Sequence, residues 1–208
     1  VLDTPRPHTL RQYALLADGE RGAIIGPDGA LVWLCFPRWH DDAVFGALIG
    51  AHGFYQVEPR DAYVWGGYYE DGSLVWRSRW VTTHGVIECR EALAAPATTG
   101  RVIVLRRVIA CEGRAHVVVR LEPAAGFGHH RLRSLTERDG AWVGVTGDTH
   151  VRWSGADGAQ LVRDRERTLL DVELSPAEGE YHDLVLELDC EPFSDPPPDP
   201  AAQWERTE

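Results

Sequence analysis

The sequence predicts an all-β protein: a large antiparallel β-sandwich, or supersandwich, of a dozen or more strands with one short helix near residues 42–49. Three observations predict it. Turn signals recur roughly every 8 to 12 residues, the spacing of a sandwich or barrel. The segments between them are rich in branched and aromatic residues that alternate with polar ones, as Val117, Val119 and Leu121 do against Arg120 and Glu122. No helical crossover of the kind a parallel fold needs separates the strands.

Taken in order, a Pro-broken lead (Pro5, Pro7) precedes a first strand from Gln12 to Leu16. Asp18-Gly19-Glu20-Arg21-Gly22 turns the chain into Ala23-Ile24-Ile25. Gly26-Pro27-Asp28-Gly29 is a strong turn signal, because Pro presets the first corner and Asp-Gly tolerates the second. Ala30 to Phe36 follows as a strand, completing a hairpin. Asp41 or Asp42 can cap the next segment, where Val44, Phe45, Leu48 and Ile49 recur at helical spacing until Gly50 stops it.

From Gly53 the signal is β almost throughout. Phe54 to Glu58 and Tyr63 to Tyr69 are strands, and Glu70-Asp71-Gly72-Ser73 turns into Leu74 to Thr82. Thr83-His84-Gly85 turns again into Val86 to Leu93. A Pro/Thr/Gly loop then leads to a long pair, Arg101 to Ala110 and Ala115 to Glu122. Further strands are expected at Arg131 to Glu137, Ala141 to Thr146, His150 to Ser154, Ala159 to Arg163, Thr168 to Leu174 and Tyr181 to Leu188. Phe193 to Pro200 is a semi-rigid, Pro-rich linker, and Ala201 to Arg206 begins to look helical. The expected division is a β-sandwich domain over 1–190 and, over 191–208, a linker and helix start leading to a C-terminal domain outside this chain.

Composition narrows the partners. The 208 residues carry a net charge of −11, with 32 acidic against 21 basic residues, and every basic residue is Arg. The densest cationic group, Arg163-Asp164-Arg165-Glu166-Arg167, is interleaved with acids. Phosphate neutralisation needs a basic patch, so nucleic acid and anionic membrane surfaces are not expected partners. There is no run of 18 apolar residues to span a bilayer. No cationic-then-apolar leader opens the chain, so a cytoplasmic location is expected. The Lys-free, Arg- and Ala-rich usage points to a GC-rich bacterial genome, and the lack of an initial or any other Met points to a trimmed or incomplete chain or a missing first residue. Cys35, Cys89, Cys111 and Cys190 show no C-x-x-C spacing and are expected to be free, mostly buried thiols.

Chemical constellations are sparse. A glycosidase needs two carboxylates facing across a cleft, and no spacing among Asp18, Glu20, Asp41, Asp42, Glu70 and Asp71 fixes such a pair; solvated turns account for them. The nine histidines form no H-x-x-x-H or zinc-deaminase pattern, so no metal is expected. No nucleophile elbow, P-loop or dinucleotide fingerprint occurs, and no cofactor is expected. What stands out is the corner after the third strand, where Trp33, Pro37, Arg38 and Trp39 crowd into seven residues. Burial explains most tryptophans of a sandwich this large. Trp39, at the corner, is as well suited to a surface role such as stacking on a sugar ring.

The order of these features resembles the N-terminal domain of bacterial glycoside hydrolase family 15 proteins, the glucoamylase, glucodextranase and trehalase group. Tyr13, Asp18-Gly19, Ala23-Ile24-Ile25, Asp28-Gly29, Trp33-Leu34-Cys35, Pro37-Arg38 and Phe45 to Leu48 follow the family's opening. Tyr69 to Trp80 with Gly85-Val86-Ile87-Glu88 resembles its second hairpin. Arg106-Arg107-Val108, Val117 to Pro123 and Gly126-Phe127-Gly128 resemble its long strand pair and the loop after it. The resemblance departs at the corner: Val32 replaces an Asp, and Trp39-His40-Asp41-Asp42 replaces Phe-Asp-Ser-Pro.

The resemblance implies a β-sandwich preceding an (α/α)6 barrel that carries two catalytic glutamates and inverts α-glucosidic bonds. Neither glutamate can be carried over to this chain, so no catalytic residue is expected in it. The expected role is a non-catalytic domain that braces the barrel and shapes its entrance. Trp33, Pro37, Arg38 and Trp39 are the candidates for the domain interface or sugar entrance, and α-glucan or trehalose the candidate ligands. Two readings stay open beside it: a self-standing carbohydrate-binding module using exposed Trp faces, and a hydrolase in its own right.

Overall fold

The strands of two sheets turn apolar residues inward, and these inward faces meet. The computed structural model of the protein describes residues 4–164 and 167–208. Arg165 and Glu166, in the middle of the mixed-charge run noted above, lie outside the described residues. In chain order the strands are β1 (Ala14–Ala17), β2 (Gly22–Ile25), β3 (Ala30–Cys35), β4 (Ala43–Phe45), β5 (Phe54–Pro59), β6 (Tyr63–Tyr69), β7 (Trp76–Thr82), β8 (Val86–Leu93) and β9 (Arg101–Glu112). They continue with β10 (Val117–Glu122), β11 (Ala124–Ala125), β12 (His130–Arg131), β13 (Arg133–Arg138), β14 (Ala141–Thr146), β15 (Thr149–Ser154), β16 (Gln160–Arg163), β17 (Thr168–Leu174) and β18 (Tyr181–Asp189), before helix α1 (Pro200–Thr207).

The first sheet runs β1-β2-β3-β5-β10-β17-β16, with β4 beside β3; the second runs β13-β14-β15-β18-β9-β8-β7-β6. Every pairing is antiparallel, as hairpin-linked strands require. Between the sheets lies one continuous core that includes Leu16, Leu34, Phe45, Tyr55, Trp80, Val104, Leu121, Trp153 and Leu186. In β5, Tyr55 and Val57 belong to that core while the polar Gln56 and Glu58 alternate with them, as the period of two dictates. The β2–β3 hairpin turns at Gly26–Gly29 as expected. Gly29 has φ 69°, and a Cβ there would run into the Val57 carbonyl, so the hairpin presses onto β5 only because this residue is glycine.

The short helix expected near residues 42–49 is not formed. Residues Ala43–Phe45 pair with β3 instead (Leu34 opposite Phe45, Cys35 opposite Ala43), and only Ala47–Ile49 makes a 3-10 turn, closed by Gly50 in the left-handed region. Val44 and Phe45 suit either reading on paper. The edge of β3 decides: a two-turn helix is marginal by itself, whereas pairing buries both side chains completely in the core. The first strand likewise starts at Ala14, after a 3-10 turn over Leu10–Gln12.

The arginines have a structural logic. Arg106 is fully buried and ion-paired with buried Glu91, and it donates to the Tyr55 carbonyl at 2.7 Å and to the Gly29 carbonyl. A side chain of the second sheet thus satisfies two carbonyls of the first. Arg21–Asp18, Arg152–Glu187 and Arg167–Glu122 are buried pairs of the same kind. Planar, multi-donor guanidinium suits such sites and a Lys ammonium does not. All four cysteines are free: Cys35 and Cys89 are buried as expected, Cys111 is half-buried and Cys190 is exposed.

Beyond β18 the chain stays on the second sheet. Phe193 lies under Arg152 (4.3 Å) and Arg101 (5.6 Å), and Arg152 donates to the Asp195 carbonyl at 2.5 Å. Helix α1, capped by Asp199, buries Trp204 in a second apolar cluster with Val75, Ala92, Ala94, Leu105 and Val185. No helix of the described residues is long and apolar enough to cross a membrane.

Candidate interaction surface

The corner is built outward from a buried anchor. Asp18 accepts from the Arg21 backbone at 2.7 Å and from its guanidinium at 2.9 Å; Arg21 in turn donates to the Thr98 carbonyl at 3.0 Å and reaches the Pro37 carbonyl at 3.5 Å. One buried cation therefore ties the turn before β2 to the corner and to the loop before β9. The Phe36–Pro37 peptide within it is cis. Asp41 accepts the Arg38 amide at 3.0 Å and Asp42 the Phe36 amide through its carbonyl at 3.2 Å, closing the corner on itself.

Trp39 is 48% exposed, yet its ring is fixed in place. It lies against Gly22, where any Cβ would overlap the indole, so Gly22 is the floor on which Trp39 rests. Trp33 faces outward from β3 opposite Ile24, which is itself opposite Leu15, giving a cross-strand apolar row. Phe127, from the Gly126-Phe127-Gly128 loop, meets the Trp33 ring at 6.2 Å. Its amide donates to the Ala43 carbonyl at 3.0 Å, which fixes the loop over β4. Leu15, Trp39, Ile49 and Phe127 are all exposed.

The four predicted residues thus divide. Trp33 and Trp39 both present indole surface outward on this end of the first sheet, and Arg38 is exposed, with no ion pair among the described residues. Pro37 is half-buried and acts through its carbonyl, under Arg21. Sequence reasoning passed over Arg21; the signal was an Asp-x-x-Arg spacing inside a turn otherwise read as solvated. It also passed over Leu15 and Ile24, whose outward placement depends on strand pairing. The corner shows no arrangement for proton transfer or nucleophilic attack. Among the described residues no group of three His, Cys, Asp or Glu side chains could hold a metal ion.

What the fold and the corner define is a class: a large antiparallel β-sandwich domain with one apolar end on the outer face of a sheet. The chain matches the family described as Trehalase-like, N-terminal, over residues 2–206, and it belongs to that family. It is similar to a trehalase of Mycobacterium tuberculosis (strain ATCC 25618 / H37Rv), 29% identical over 147 residues that cover 62% of this chain and 21% of the relative. It is also similar to a trehalase of Mycolicibacterium smegmatis (strain ATCC 700084 / mc(2)155), 30% identical over 164 residues covering 69% of this chain and 24% of the relative. The chain thus spans less than a quarter of the length of either curated relative. A solved structure, a provisionally assigned kojibiose phosphorylase from human microbiome, aligns with 84% of this chain and 29% of its own at 7% identity and a TM-score of 0.42, too loose a likeness to argue from.

Proposed function

We propose that this chain is the non-catalytic N-terminal domain of a bacterial family 15 glycoside hydrolase, with the sandwich over 1–190 and the stretch 191–208 leading toward an (α/α)6 barrel. The barrel hydrolyses α-glucosidic bonds by inversion, and trehalose is the favoured substrate because both curated relatives carry the name trehalase. The observation that carries the reading is the family match along nearly the whole chain. The exposed, rigidly mounted Trp39, the Trp33–Phe127 contact and the unpaired Arg38 support the corner as the surface that meets the barrel. A half-exposed indole resting against a glycine offers apolar area at little entropic cost on docking.

The test uses the polypeptide that carries both regions. Arg38→Ala and Trp39→Ala are expected to lower its thermal stability and trehalose turnover while leaving the isolated sandwich as stable as before. Unchanged stability and turnover in both variants would remove the docking role; a full-length protein inert toward α-glucosides would remove the enzymatic reading.

A further inference from the structure

A second feature lies away from the corner. The lead segment crosses the outer face of the first sheet and, with the β2–β3 turn, β5 and β10, encloses a groove of 460 Å³ lined by Arg6, His8, Asp28, Gln56, Glu58, Tyr63 and Arg120 among others. Its parts are held firmly. The His8 amide donates to the Tyr13 hydroxyl at 2.9 Å, and the two rings meet edge to face at 6.0 Å. Gln56, itself buried, donates to the Asp28 carbonyl at 3.3 Å. Arg120 is shared between Glu58 (3.5 Å) and Asp171 (3.3 Å).

The groove holds more hydrogen-bonding capacity than the protein uses. His8 Nε2 is buried and has no hydrogen-bond partner; the Asp28 carboxylate approaches it only to 3.6 Å. The Asp28 side chain is nine-tenths buried, and its other oxygen accepts from the Ala30 amide at 3.3 Å. Burial, and then Asp28, push the Glu58 carboxyl up despite Arg120 and Arg6. Burial, with Glu58 and Asp28, also pushes the Tyr63 phenol up to about 12. Unused buried polar atoms are uncommon and call for an explanation. Two carboxylates, two guanidiniums, an imidazole, an amide and a phenol nearly balance in charge. That mixture matches the alternating donors and acceptors of a ring of hydroxyls better than it matches an ion.

We infer that this groove binds a small neutral sugar, with Asp28 and Glu58 accepting from its hydroxyls, Arg120 donating to them and His8 Nε2 donating or accepting according to its tautomer. Its volume lies within the range of small-molecule sites, roughly 300–1,000 Å³. The choice of a glucose-based sugar rests on the function proposed above; the polyol chemistry rests on the groove alone.

The test is a titration of the 208-residue protein with trehalose, maltose and glucose, followed by two-dimensional amide NMR, with glycerol as the control. Saturable shifts are expected at the amides of Gly26 to Ala30 and of Gln56 and Glu58, with affinity of about millimolar order. Glu58→Gln and Asp28→Asn, each checked for an unchanged melting temperature, should weaken binding by about tenfold, the loss of one hydrogen bond to a charged group. His8→Ala serves where Asp28→Asn unsettles the turn. No shifts, shifts confined to the Trp39 corner, or equal response to glycerol would each overturn the inference. None of these results bears on whether the longer protein hydrolyses α-glucosides, so the two readings fail separately.

Discussion

The Tyr69 hydroxyl accepts the Leu15 amide at 2.8 Å and donates to the Leu15 carbonyl at 2.9 Å. Tyr69 ends β6, the edge of the second sheet, and Leu15 lies on β1, the edge of the first. A single side chain therefore occupies the backbone groups an edge strand would otherwise offer to another chain.

Removing that hydroxyl should loosen the edge without unfolding the sandwich. Tyr69→Phe leaves the ring on Trp76 (4.9 Å) intact, and water can reach the freed groups. A loss of about 1 kcal/mol is expected, together with faster hydrogen exchange at the Leu15 amide. Unaltered exchange there would show that the hydroxyl does not guard the edge.

The Arg106–Glu91 pair should behave in the opposite way. Both side chains are fully buried, Ser78 donates to Glu91 at 2.8 Å, and Arg106 stacks on Tyr55 at 4.6 Å. Arg106→Met leaves the buried Glu91 carboxylate without its cation and removes one donor each from the Tyr55 and Gly29 carbonyls, at a cost of about 3–5 kcal/mol. The double variant Arg106→Met, Glu91→Met should recover part of that loss, measured by urea denaturation. Full additivity of the two single losses would refute a coupled cross-sheet clamp.

Helix α1 should come loose in acid before the sandwich does. Its Trp204 sits under Arg90 at 4.6 Å, and Arg90 is held from two sides by Glu70 and Glu208. The Arg90 hydrogen bond, opposed by burial and reinforced by Arg77, holds the Glu70 carboxyl below its usual value. A depressed carboxyl contributes stability above its unfolded pKa, roughly 4.3, and loses it as pH falls through the folded value. The Trp204 indole N–H resonance should therefore shift in that window, and Glu70→Gln should flatten the response. A resonance that moves only with global unfolding would contradict it.

At the corner, Gly22→Ala is expected to displace the Trp39 ring into solvent, because the added methyl takes the space the indole occupies. The displaced ring is half-exposed already, so stability should change by less than about 1 kcal/mol. If the corner has the docking role proposed for it, a displaced Trp39 should lower the thermal stability of the polypeptide carrying both regions as Trp39→Ala is expected to.

How much of this was legible beforehand differs by element. The β2–β3 hairpin was readable because Pro27, Asp28 and Gly29 specify a turn within four residues. The strand at Tyr181–Asp189 was readable because Leu184, Leu186 and Leu188 mark one face. Ala43–Phe45 was misread because its periodicity is too short to distinguish three strand residues from a helical turn. Arg106 and Arg152 were invisible as buried residues, since a charge in a strand ordinarily marks the wet face, and only a carboxylate brought from another strand (Glu91, Glu187) reverses that.

The sequence by itself determined the all-β class, most strand positions, the turns and the aromatic corner, because these depend on local stereochemistry and on alternation with a period of two. Only the tertiary structure decided which strands are neighbours, and hence everything that needs two distant segments at once. That includes the Gly22 floor beneath Trp39, the Leu15–Ile24–Trp33 row, the Arg106 clamp between sheets and the groove that His8, Asp28 and Glu58 line together. Each is a contact across many residues of chain, and no local propensity encodes the partner.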